Sequence, residues 1–129
     1  RDGLRINQPA GHLEPGESLI DACAREVLEE AAHRFVPAEL VGVYLWTSPG
    51  GRSSYLRFAF SGSLGEAIAG RALDEGIVRT LWLSAEELAA CAPMHRSPLV
   101  MRCVHDYLRG QRFPLDLIYT HPSALETVR

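Results

Sequence analysis

The 129-residue sequence has no run of lysine or arginine, no Cys-x-x-Cys pair and no apolar stretch near the ~20 residues of a membrane helix. Each absence excludes something. Without a spanning segment, no membrane partner is expected. With a formal charge of -3 and no cationic cluster, the backbone of a nucleic-acid polymer is not an expected partner either. The three cysteines, Cys23, Cys91 and Cys103, lack metal-ligand spacing. Cys23 and Cys103 fall on the apolar side of helical patterns and read as buried small hydrophobes. Unpaired thiols suit a reducing compartment, so a cytoplasmic location is expected. Repeats, low-complexity tracts and Pro/Gly-rich linkers are also missing, so residues 1–129 read as one domain with an uninformative tail over 120–129. The chain starts at Arg1 and runs at once into the extended Leu4-Arg5-Ile6, from which a missing N-terminal portion is expected.

What is present is an ordinary globular composition, 47% apolar and 22% charged. Residues 3–8 read as extended, and Pro9 through Gly16 as a loop. Apolar residues at helical spacing predict a helix from Ser18 to about Ala32, with Pro37 beyond its end. Strands are predicted over 40–47 and 55–61, joined by the hairpin loop Ser48-Pro49-Gly50-Gly51-Arg52. The Gly- and Ala-rich stretch 62–74 gives little signal. A further strand is predicted over 77–83. Ser84-Ala85-Glu86-Glu87 is a capping box for a short helix to about Ala90. Ser97-Pro98 opens another helix, with proline at its first position and Gly110 just past its end. Residues 111–119 read as extended. Strands with helices packed on them give an α/β (α+β) class.

One helix face carries chemistry. Glu26, Glu29 and Glu30 stand at i, i+3 and i+4, so their carboxylates project from one side. Like charges at these spacings destabilise an isolated helix by roughly 0.2–0.5 kcal/mol per pair. A helix shaped only for stability interleaves cations there, as Asp21 and Arg25 do on a neighbouring stripe. Three converging carboxylates are instead what Mg²⁺ prefers, with Mn²⁺ as an acceptable substitute. A solvated acidic face is the competing reading. Against it stands the preceding turn, Gly11-His12-Leu13-Glu14-Pro15-Gly16-Glu17, whose glycines let a backbone carbonyl approach the carboxylates. Glu17, at the helix entrance, reads equally as a cap favoured by the helix dipole or as a direct participant.

These residues resemble a known signature. Gly11, five residues, Glu17, seven residues, then Arg25-Glu26-Val27-Leu28-Glu29-Glu30 is similar to the Nudix box of the Nudix hydrolases. Chance recurrence is on the order of once in 10⁶ chains of this size at average composition. The likeness departs at Ala32-His33, where the family has glycine and an aliphatic residue, which puts a left-handed helix cap in question. Outside the box, Asn7 through Glu14, Leu56-Arg57-Phe58, Arg96 through Val100 and Gly110 through Leu115 resemble the NudJ-type phosphatase subgroup. The resemblance implies a Nudix-like α/β/α sandwich around a mixed sheet, whose N-terminal strands this chain does not show.

It also implies roles. Glu26, Glu29, Glu30 and the Gly11 carbonyl would hold one or more Mg²⁺ ions, and Arg25 would brace the carboxylates unless it only pairs with Asp21. Glu29 is the expected general base, with Glu75 as rival base or extra ligand. Arg57 reads equally as a group that points to substrate phosphates or as a half-exposed strand residue, and His12, beside the metal loop, is expected to donate to a phosphate. Tyr44 and Trp46, alternating on one strand face, either stack on a base or pack in the core. The implied activity is MutT-like, Mg²⁺-dependent hydrolysis of phosphoanhydride bonds in nucleoside tri- and diphosphates or a thiamine-precursor pyrimidine diphosphate, releasing orthophosphate. The alternatives are a hydrolase of nucleoside-diphosphate sugars or dinucleotides, and a non-catalytic nucleotide-sensing domain. A small phosphorylated substrate is the expected partner, for a monomer or homodimer.

Overall fold

The computed structural model describes residues 4–126. Helix α1, Leu19–Ala31, forms where the apolar periodicity predicts it. Ser18 caps it, its hydroxyl accepting from the Asp21 amide at 3.1 Å. Its end is unusual. Ala32 takes the left-handed conformation (φ 57°, ψ 32°), and its amide bonds the Leu28 carbonyl. The glycine-type cap is thus made by alanine, at a steric cost of roughly 1 kcal/mol or more.

Strands β1, His33–Thr47, and β2, Ser54–Ala67, form a long antiparallel hairpin. Both exceed the predicted ranges. Pro37 lies past the helix, as expected, and sits inside β1, opposite Gly62. It is tolerated because β3, Phe113–Pro114, reaches β1 only at Glu39 and Leu40. At Pro37 the other side of β1 is therefore an edge, where a missing N–H breaks no ladder bond. Gly62 is required there: a Cβ would lie 2.1 Å from the Val36 carbonyl oxygen. The hairpin loop is as predicted, closed by Ser48 N–H to the Ser53 carbonyl at 2.8 Å.

The sheet order is β2-β1-β3, antiparallel throughout rather than mixed as expected; among the described residues the parallel bridge of Ile6 with His95 stands outside it. The strand expected over 77–83 does not form; the segment is irregular, with Trp82 exposed and edge-on to His33 at 5.2 Å. Helix α2, Ala85–Ala90, carries the predicted capping box. Helix α3, Leu99–Leu108, starts one residue later than expected, with Pro98 as its cap. Residues 111–119 are mostly not extended, since a turn of 3-10 helix, Leu115–Leu117, follows β3. Tyr44, Leu99 and Cys103 form a core between β1 and α3, with Leu40 and Val100 buried fully. Cys103 is buried as expected, whereas Cys23 is only half-buried.

Candidate active site

Arg25 is the hub. Its guanidinium takes both oxygens of Glu17, at 3.0 Å from Nε and 2.8 Å from Nη2. Nη2 also donates to the His12 carbonyl at 2.9 Å. Nη1 reaches Glu29 Oε1 at 3.0 Å, Glu26 Oε2 at 3.2 Å and Glu14 Oε2 at 3.5 Å. The Asp21–Arg25 surface pair is not formed; the more numerous carboxylates on the other side draw the cation instead. Glu17 is likewise not the cap, since Ser18 fills that position. Arg25 holds the Glu17 carboxyl below its ordinary range, and Glu17 raises the guanidinium further above its own.

One cation facing four carboxylates leaves negative charge over. Glu30 adds a fifth on the inner side. Its Oε1 accepts the Ala10 amide at 2.9 Å, and it lies within hydrogen-bond reach of Glu26. Burial pushes its carboxyl up to about 7, the charges of Glu26 and Asp74 add to the rise, and the Ala10 bond opposes it. Glu26 itself is buried, pressed against Gly11, where a Cβ would fall 1.6 Å from Glu26 Oε2. Only glycine leaves room for that carboxylate. The donor set therefore fits a hard cation: two carboxylates crowd together beside backbone, and a cation between them would relieve their repulsion. Among the described residues, no group of three or more His, Cys, Asp or Glu is already gathered to hold a metal, because Glu29 is drawn away to Arg25.

Glu26 opens into a groove of about 980 Å³ that runs from the 7–12 loop across β2. His12, Arg57 and Trp46 are among the residues that line it. Trp46 is stacked on Tyr55, ring centres 5.7 Å apart. Arg57 is held by Asn7 Oδ1 at 3.0 Å and Gln8 Oε1 at 3.1 Å. Tyr44 does not join them. Its ring is buried and its hydroxyl donates to Asp106 at 2.8 Å, so base stacking by Tyr44 is set aside in favour of the core. Of the pair Asp74-Glu75, the carboxylate felt at Glu30 belongs to Asp74, whose amide also bonds the Glu29 carbonyl at 3.0 Å; Glu75 is exposed. A loop carrying two adjacent acids is the signal in the sequence, and Asp74 joins Glu75 as a candidate extra base or ligand. Asn7 and Gln8 stand in the sequence only as part of the 7–14 stretch that carries the subgroup resemblance, with no role of their own.

Known proteins place the chain in a family. The NUDIX domain pattern matches residues 3–103. Phosphatase NudJ of Escherichia coli K12 is 38% identical over 112 residues, covering 87% of this chain and 72% of that protein, and the Shigella flexneri phosphatase NudJ matches equally. A solved NUDIX hydrolase from Nitrosomonas europaea superposes with a TM-score of 0.87 at 53% identity, over 91% of this chain and 79% of the other. With the signature helix folded against its glycine turn, and with relatives this similar over this length, the chain belongs to the Nudix family of hydrolases.

Proposed function

We propose that the protein is a Mg²⁺-dependent phosphohydrolase that cleaves phosphoanhydride bonds of nucleoside tri- and diphosphates or a related pyrimidine diphosphate, releasing orthophosphate. One observation carries the reading: carboxylates outnumber cations beside Gly11, and Glu26 from that cluster shares a groove with Arg57. The family generally uses a divalent metal, and the name phosphatase NudJ belongs to a relative that covers most of this chain.

Glu26 and Glu30, with Glu29 and the Gly11 carbonyl, would hold the cation. When bound it supplies charge neutralisation for the diphosphate oxygens and a water of lowered pKa. The rest belongs to the chain. Arg25 fixes Glu17 and Glu29 at 2.8–3.0 Å and so orients the carboxylates before substrate arrives. Glu29 takes the proton from the attacking water, with Asp74 or Glu75 as the nearby rivals. Arg57 and His12 meet the phosphates, and Trp46, backed by Tyr55, offers a ring face to the organic part. In-line attack at phosphorus then expels the leaving phosphate, with positioning supplying most of the acceleration. No helix among the described residues is long and apolar enough to cross a membrane.

A phosphate-release screen over nucleotides and pyrimidine diphosphates, with and without Mg²⁺, tests this. Orthophosphate release that needs Mg²⁺ and is lost in Glu30→Gln supports it. Two organic monophosphates as products would instead support hydrolysis of nucleoside-diphosphate sugars or dinucleotides, and unchanged turnover in Glu29→Gln and Glu30→Gln would remove the site assignment.

A further inference from the structure

The segment 7–12 touches both halves of the groove. At one end, the Ala10 amide, Gly11 and the His12 carbonyl meet Glu30, Glu26 and Arg25 in turn. At the other, the Asn7 and Gln8 side chains hold Arg57, which comes from β2, 49 residues from Gln8 in sequence. Gln8 is not free to turn. Its Nε2 donates to the Val100 carbonyl in the first turn of α3 at 2.8 Å, which forces its Oε1 toward Arg57. A carbonyl acceptor on one side and a guanidinium donor on the other fix which amide atom is which. Glutamine thus links three elements: the α3 backbone, the strap and the β2 arginine.

A guanidinium so held keeps its charge. Both amides are neutral, so neither cancels it as a carboxylate would, and they take two of its five N–H groups. Asn7 and Gln8 are therefore a mount that aims a cation without neutralising it. Arg102, Arg109 and Arg112 pair with carboxylates, whereas Arg57 is held by two neutral amides.

We propose that Gln8, with Asn7, is a positioning residue that presents Arg57 as the clamp for a phosphate oxygen of the substrate. The strap 7–12 sets the distance between that clamp and the carboxylate helix. This deepens the phosphohydrolase reading and rests on it for the identity of the anion. Gln8 acts through Arg57 and touches no substrate.

A double-variant cycle tests it, reading calorimetric affinity for inorganic pyrophosphate in Mg²⁺, KM and kcat, and melting temperature. Arg57→Ala should weaken pyrophosphate binding and raise KM by roughly tenfold or more, the loss of a charge-assisted contact. Gln8→Ala should raise both by about threefold to tenfold, with kcat changed less. The double variant should match Arg57→Ala alone, because Gln8 has nothing left to position. Gln8→Glu, which keeps an acceptor but neutralises the arginine and faces the Val100 carbonyl, should be no better than Gln8→Ala. If the Gln8→Ala loss persists undiminished in the Arg57→Ala background, or appears only as a lower melting temperature, Gln8 is a structural brace and the proposal falls. If no phosphoanhydride is turned over by the wild type, the functional reading fails while the pyrophosphate cycle still decides whether Arg57 is a mounted anion clamp.

Discussion

Two charged clusters in this molecule are built from similar parts and differ in balance. Around Asp106, one buried carboxylate accepts from Tyr44 at 2.8 Å, Arg102 at 3.1 Å and Arg109 at 2.9 Å. Its hydrogen bonds close, and it joins α3 to β1. Around Arg25, one guanidinium faces Glu14, Glu17, Glu26 and Glu29, with Glu30 behind them. That cluster has an excess of negative charge and two carboxylates in mutual contact. A cluster whose buried carboxylate has its hydrogen bonds met within the fold holds that fold together. One that carries an excess beside a groove is waiting for a ligand, here a cation.

The comparison can be broken at Gly11 with the largest effect. Gly11→Ala puts a methyl group where the Glu26 carboxylate lies, and a flexible side chain yields before backbone does. Turnover should fall by about 100-fold or more, as for a 1 Å misplacement of a catalytic group. The melting temperature should shift by only about 2 °C. Paired kinetics and thermal melts check this; a variant that keeps its activity would mean that Glu26 is not needed at that position.

At the Asp106 cluster the opposite pattern is expected. Tyr44→Phe removes one donor from Asp106 and should cost about 1 kcal/mol in chemical denaturation, while kcat and KM stay near wild type. A raised KM would return Tyr44 to the substrate site. Smaller still is Ala32→Gly at the left-handed helix end. Relief of strain there, partly offset by glycine's greater chain entropy, should stabilise the protein by up to about 1 kcal/mol in the same assay.

The finest distinction lies in pH. The Asp106 carboxyl is held at about 2, below its ordinary 3.8, first by Tyr44 and then by its arginines. Its contribution to stability is therefore complete above pH 3.8 and is lost as pH falls toward 2. Glu30 has the reverse sign. With its carboxyl raised from 4.5 to about 7, the metal-free fold favours the protonated form, so this contribution is complete below pH 4.5 and declines as pH rises to 7. Denaturation of metal-free protein across pH 4–8 should show that decline in the wild type and not in Glu30→Gln. Mg²⁺ should reverse it at neutral pH. Equal slopes in both proteins would remove Glu30 as its source.

Local signals in the sequence carried far. The apolar period of α1, the Ser84 capping box and the glycine turn before Glu17 all report on neighbours in the chain, and all form as read. Pairing between distant segments was less visible. Nothing near Pro37 says that its far side is an edge, and nothing in 62–67 says that a long partner strand will hold a Gly- and Ser-rich stretch extended. Residues 77–83 are rich in β-branched and large apolar residues like a strand but find no partner among the described residues. The site divides in the same way. The glutamate helix and Arg25 were legible because helical spacing alone brings them together. The Asn7–Arg57–Gln8 mount was not, because it depends on β2 and α3 arriving at the same strap. Tyr44 and Trp46 share a face of β1, and only the position of Asp106 separates a core ring from a groove ring.

The central claim is that the negative excess beside Gly11 is a divalent-cation site. Titration of metal-free protein with Mn²⁺, followed by the loss of the free-ion electron paramagnetic resonance signal, addresses it without reference to any substrate. The wild type should take up Mn²⁺ and release it to Mg²⁺ in competition, while Glu26→Gln and Glu30→Gln should each lose most of that uptake and Tyr44→Phe none of it. Uptake that is equal in all four proteins, or absent from the wild type, would contradict the claim.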